Sequence, residues 1–119
     1  MDDVIQAKVA TIEKCLRRIK EETTSDWRHN YTHQDALLLN LERACQETID
    51  CAAHIVKKQH LGVPKVTREF FSLRKMVGFR NLAVHDYAHL NLDILESIIT
   101  KELEVFGDFC KSVIDLDFQ

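Results

Sequence analysis

Apolar residues recur near the start of the chain in helical steps: Ile5, Val9, Ile12, Leu16 and Ile19 lie 4, 3, 4 and 3 positions apart. That interval gathers them on one side of a 3.6-residue helix, and Lys8, Glu13, Lys14, Arg17 and Arg18 fall off the stripe. The spacing predicts a helix over Asp3–Glu22. Thr23-Thr24-Ser25-Asp26 break the pattern, and Trp27 to Tyr31 read as a polar connection whose Trp covers the end of a bundle. Thr32 as cap, with Asp35 in the first turn, opens a second helix that runs to about His60. Leu37 or Leu38, Leu41, Ala44/Cys45, Ile49, Ala52 and Val56 carry its buried face. The small residues Ala44, Cys45, Cys51, Ala52 and Ala53 predict close approach of a neighbouring helix. Arg43 and Glu47, four apart, are expected to pair on its surface, and His54 reads as structural. Gly62 and Pro64 supply the stop.

A third helix is expected from Val66 or Thr67, with Phe70, Phe71, Leu73, Met76 and Val77 as its apolar positions. Gly78 inside it costs about 1 kcal/mol relative to Ala, so a close approach to its backbone is expected. The last helix is capped by Asn91 and runs to about Ile114. Leu95, Ile98/Ile99, Leu103, Phe106, Phe109/Cys110 and Val113 form its stripe, with Glu102 and Glu104 facing out. No stretch alternates as a strand would, and the chain has only 3 Gly and 1 Pro. The fold class that follows is all-α: an antiparallel bundle of four to five helices, formed as one domain over residues 1–119.

Composition narrows the setting. No apolar run approaches the roughly 20 residues that cross a bilayer. The acidic start Met1-Asp2-Asp3 is wrong for a signal or transit peptide, so a soluble, cytoplasmic protein is expected. Cys15, Cys45, Cys51 and Cys110 form no C-x-x-C pair and have no His at ligand spacing. They read as buried, reduced thiols, and no metal or cofactor is expected.

The net charge of -3 conceals an asymmetry. Between Lys57 and Arg80 stand Lys57, Lys58, Lys65, Arg68, Arg74, Lys75 and Arg80 against Glu69 alone, a local balance of +6 that leaves -9 for the remainder. Such a segment suits a polyanion such as RNA, and it runs directly into Gly78-Phe79-Arg80-Asn81-Leu82-Ala83-Val84-His85-Asp86-Tyr87. An Arg holds a phosphate through a fork of donors, and a His moves a proton near neutrality. RNA cleavage by transesterification needs a base for the 2′-OH, an acid for the 5′-oxygen and positive charge on the phosphorane. Arg80 and His85, with Asn81 to orient either partner, provide these groups without a metal. On an ideal helix Arg80 and His85 lie about 140° apart, so either the helix ends near His85 or two copies meet across a two-fold axis. An isolated Arg-x4-His is common, and the bland alternative pairs Arg80 with Asp86 and leaves His85 as a helix cap.

The full string Lys75-Met76-Val77-Gly78-Phe79-Arg80-Asn81-Leu82-Ala83-Val84-His85-Asp86-Tyr87 resembles the signature of HEPN-domain proteins, in the HepT branch. Arg80, His85 and Tyr87 meet its Arg-x4-His-x-Tyr pattern. Asn40-Leu41-Glu42-Arg43, Ile49-Asp50, His54-Ile55, Leu61-Gly62-Val63-Pro64 and Leu92-Asp93-Ile94 extend the likeness over most of the chain. The resemblance implies a HEPN-like homodimer with the motifs at its interface and a metal-independent endoribonuclease toxin acting on tRNA or mRNA. It also implies a cognate MntA-like nucleotidyltransferase antitoxin that transfers AMP to Tyr87. A non-catalytic HEPN module that binds such a partner or a nucleotide is the alternative. One departure stands out: the family usually carries an extra helical stretch where Phe71 here passes directly into Ser72.

Overall fold

The structure is a computed structural model in which residues 2–59, 78 and 92–117 are described. Among them the chain is all-helical, with no strand. Helix α1 spans Asp3–Glu22, a short 3-10 turn spans Trp27–His29, α2 spans Tyr31–Gln59, α3 spans Leu92–Lys101 and α4 spans Leu103–Asp117.

Helix α1 begins where Asp2, in extended conformation, turns its carboxylate onto the free backbone N–H groups of Val4 and Ile5 at 2.8 and 3.1 Å. These donors have no partner within the helix, and an Asp at the cap supplies one. The helix ends at Thr23, whose N–H and hydroxyl both donate to the Ile19 carbonyl. Its buried residues are Ile5, Val9, Ile12, Cys15 and Ile19. Leu16, one place along from Cys15, is half-buried.

Helix α2 packs antiparallel along α1, and three polar pairs mark the register. Asp2 meets His54, Lys8 meets Glu47 and Glu22 meets His33, so the partner's number falls as the first rises. The hairpin is thereby tied near both ends and in its middle. The expected pairing of Arg43 with Glu47 is replaced: Glu47 is half-buried on the seam and reaches Lys8 of α1 at 3.4 Å, while Arg43 is exposed. The start of α2 also differs. Tyr31 is its first residue, and the side chain of Asn30, not Thr32, accepts from the His33 N–H at 3.2 Å.

The core joins the stripe of α1 to Leu37, Leu38, Leu41, Ala44, Cys45, Cys51, Ala52 and Ile55 of α2, then to Leu95 and Ile98 of α3 and Phe106, Phe109, Cys110 and Val113 of α4. Leu37, Leu38, Leu41, Ala44, Cys45 and Ala52 are buried as expected, but the face also takes in Thr48, Cys51 and Ile55, while Ile49 and Val56 are only half-buried and Ala53 is exposed. Thr48 can be buried because its hydroxyl donates to the Ala44 carbonyl one turn back. Trp27 is buried at the corner between α1 and α2, as the sequence predicts.

The single closing helix of the sequence reading is two helices. The chain leaves helical form at Glu102, where Val105 N–H bonds the Glu102 carbonyl three residues back. Glu102 is half-buried there, whereas Glu104 is exposed as expected. The Asn91 cap lies outside the described residues. Gly78 is helical and exposed, and nothing among the described residues comes within 4 Å of the position a Cβ would take.

Candidate functional site

Lys57, the first residue of the basic segment, is exposed on the last turns of α2. Lys58 belongs to the same helix, its side chain outside the description. Lys65, Arg68, Arg74, Lys75, Arg80, Asn81, His85 and Tyr87 lie outside the described residues, as does the third helix of the sequence reading apart from Gly78. What the structure gives is the frame from which that segment departs and to which it returns.

At the departure end, His54 stands one turn before Lys57 and brings Nε2 to 3.1 Å from Oδ2 of Asp2. The Asp2 carboxylate thus serves two helices, capping α1 with one oxygen and holding α2 with the other. His54 is structural, as the sequence reading has it. At the return end, Asp93 and Glu96 in the first turns of α3 both bind Arg28 of the 3-10 turn. The Asp93 carboxylate, hydrogen-bonded to Arg28 at 2.6 Å, is the main reason the guanidinium holds its proton even above its ordinary range. Sequence reasoning missed this pair, because residues 65 and 68 positions apart leave no periodic trace.

The thiols are buried and free. Burial raises Cys15, pushes Cys51 up to about 11 and Cys110 up to about 12, which keeps them protonated and inert at neutral pH. Among the described residues no group of three or more His, Cys, Asp or Glu side chains is placed to hold a metal ion. No helix of the described residues is long and apolar enough to cross a membrane.

The model of the HepT-like ribonuclease family matches residues 10–113. The chain belongs to the HepT-like ribonuclease family. A curated relative, the mRNA nuclease HepT of Shewanella oneidensis, is 40% identical over 126 aligned positions that cover 92% of this chain and 95% of the relative. Since the alignment is longer than the 119-residue chain, the HepT relative has residues with no counterpart here. Among solved structures, the tri-AMPylated Shewanella oneidensis HEPN toxin in complex with MNT antitoxin superposes with a TM-score of 0.82 at 39% identity, covering 98% of this chain and 99% of that one. A toxin–antitoxin structure with AMP-PNP superposes with a TM-score of 0.84 at 37% identity, covering 95% and 99%. The HEPN-like bundle expected of the HepT resemblance is therefore the fold of this chain.

Proposed function

We propose that this HepT-like chain is the toxin of a toxin–antitoxin pair, an endoribonuclease that cleaves RNA through Arg80 and His85 without a metal. The observation that carries the reading is the match to an mRNA nuclease across 92% of the chain, with Arg80, His85 and Tyr87 all present in the motif. Transesterification follows from these residue types. One His takes the 2′-OH proton as the 2′-oxygen attacks the phosphorus. A second, from the partner copy of a homodimer, donates a proton to the departing 5′-oxygen. Arg80 carries the charge of the phosphorane and Asn81 orients the phosphate, leaving a 2′,3′-cyclic phosphate and a 5′-hydroxyl. Lys57, Lys58, Lys65, Arg68, Arg74 and Lys75 draw the polyanion to the site. The single domain of residues 1–119 acts in the cytoplasm, where its mRNA or tRNA substrate is found.

One neighbouring toxin is seen tri-AMPylated and in complex with MNT antitoxin. On that precedent a cognate nucleotidyltransferase silences this chain by placing AMP on Tyr87, setting a bulky anion beside Arg80. The test is cleavage of a defined mRNA in EDTA by wild type and by His85→Ala. Cleavage by wild type ending in cyclic phosphate, reduced about 10²–10⁴-fold in the variant, is the expected result. Activity abolished by EDTA and restored by Mg²⁺ would overturn the metal-free mechanism. A well-folded wild type that binds a nucleotidyltransferase but never cleaves RNA would establish the non-catalytic module instead.

A further inference from the structure

Arg28 is the point where the α1–α2 hairpin takes hold of the chain returning from the reactive segment. Its Nη2 lies 2.6 Å from Oδ1 of Asp93, and its Nη1 bonds Oε2 of Glu96. The two acids are three apart and share a face of α3, so one guanidinium spans nearly a turn of that helix. Arg28 is itself held from below. The side-chain amide of Gln34, a buried residue of α2, donates to the carbonyls of Trp27 at 3.2 Å and Arg28 at 2.9 Å. The guanidinium carbon stands 5.7 Å from the centre of the Trp27 ring, which is buried in the corner. The result is a cation on a rigid base reaching out to grip a helix start.

Stability alone is a poor account of this arrangement. The side chains of Arg28, Asp93 and Glu96 are 35%, 82% and 49% exposed, and exposed ion pairs contribute little to folding. Position is a better account. Leu92, the first residue of α3, follows Tyr87 by five residues, and five extended residues span at most about 18 Å. Whatever path the chain takes, the start of α3 limits where Tyr87 and His85 can lie. Chemistry at phosphorus is intolerant of misplacement, and a shift of about 1 Å can cost about 10²-fold in rate.

We infer that Arg28 is a positioning residue for RNA cleavage: by gripping Asp93 and Glu96 it fixes the helix start to which His85 and Tyr87 are tethered. The inference rests on the ribonuclease reading for its effect on rate, and on the ion pairs alone for its effect on α3. The competing role for an exposed arginine is a direct contact with RNA phosphate. The two roles differ in sign at Glu96. If Arg28 bound RNA, Glu96→Gln would remove a repelling charge and free the arginine, so cleavage would rise. If Arg28 grips α3, Glu96→Gln loosens the helix start and cleavage falls.

The experiment compares Arg28→Gln, Glu96→Gln and the double variant of the full chain. Three readouts are followed: RNA cleavage, thermal unfolding, and amide hydrogen exchange at residues 92–96. The positioning role predicts faster exchange at residues 92–96 in both single variants. It predicts a kcat about three- to thirtyfold lower, a fraction of what a full 1 Å shift costs, with KM changed less than about twofold and melting changed by only a few degrees. The double variant should be no worse than Arg28→Gln, since that substitution already removes the Glu96 contact together with the Asp93 one. Unchanged exchange in Arg28→Gln, a rise in cleavage with Glu96→Gln, or a loss confined to KM would each overturn the inference. Wild type that cleaves no RNA would defeat the ribonuclease reading, while the exchange result would still decide whether Arg28 holds α3.

Discussion

The Asp2 carboxylate does two separable things, and two substitutions should resolve them. One oxygen caps α1 by accepting from Val4 and Ile5, and the other meets His54 Nε2 at 3.1 Å. The Asp2 side chain is only 11% exposed, so neither contact is fully screened by water. Asp2→Asn keeps a capping oxygen, because Asn and Asp are about equal at this position, but removes the charge facing His54. A partly buried pair of this kind contributes about 0.5–1 kcal/mol. Asp2→Ala removes the cap as well, a further loss of about 1 kcal/mol. For a domain of this size 1 kcal/mol moves the midpoint by about 4 °C. Melting followed by circular dichroism at 222 nm should therefore place Asp2→Asn about 2–4 °C and Asp2→Ala about 6–8 °C below wild type. His54→Gln should reproduce the Asn value, and the Asp2→Asn/His54→Gln pair should lose no more than either alone. Equal losses for Asn and Ala would refute the capping role. A wild-type midpoint in Asp2→Asn would refute the contact between the helices.

The buried thiols predict a weakness in alkali. Cys51 and Cys110 ionise near 9 when unfolded but are pushed up to about 11 and about 12 by burial, so above pH 9 the unfolded chain loses protons that the folded one keeps. Their contribution is complete below pH 9 and falls as pH rises towards 11, by up to about 1.4 kcal/mol per pH unit per thiol. Urea titrations at pH 8 and pH 10 should show this slope flattened in Cys51→Ala, and an unaltered slope would refute it. Gly107 sits mid-helix in α4, exposed, with open space where a Cβ would go. Gly107→Ala should raise stability by about 0.5–1 kcal/mol, and a fall in the urea midpoint would show that the helix needs the glycine. Tyr87→Phe should remain active and toxic beside a cognate nucleotidyltransferase that adds AMP to wild type; silencing of the variant would place the modification elsewhere.

The parts of this fold that rest on one helix's own periodicity were legible in the sequence. Helix α1 runs between the expected residues because its apolar stripe, its Asp cap and its Thr stop all agree. Most of the buried face of α2 was legible as well, but its extension to Thr48, Cys51 and Ile55 was not. Thr48 and Cys51 are as deeply buried as Leu37, and no polar stripe marks a single inner face. Glu47 was assigned to Arg43 because spacing reveals only partners on the same helix, whereas Lys8 lies 39 positions away. The break at Glu102 has no Gly or Pro to announce it. The Arg80–Tyr87 motif is legible as a string of residue types, and its arrangement lies outside the described residues. The grip of Arg28 on α3 was not legible, because ion pairs between distant segments exist only once the chain has folded.

The order of elements along the chain also bears on how it comes into being. Every contact that marks the register of α1 on α2 lies within residues 2–54, so the hairpin can close while the later residues are still being synthesised. Helical hairpins with local contacts form quickly, and domains assemble from the N-terminus as they emerge. Arg80 and His85 come out of the ribosome after that hairpin, and α4, which covers it, comes last. A growing chain therefore possesses its platform before the segment that carries Arg80 and His85 has fully emerged.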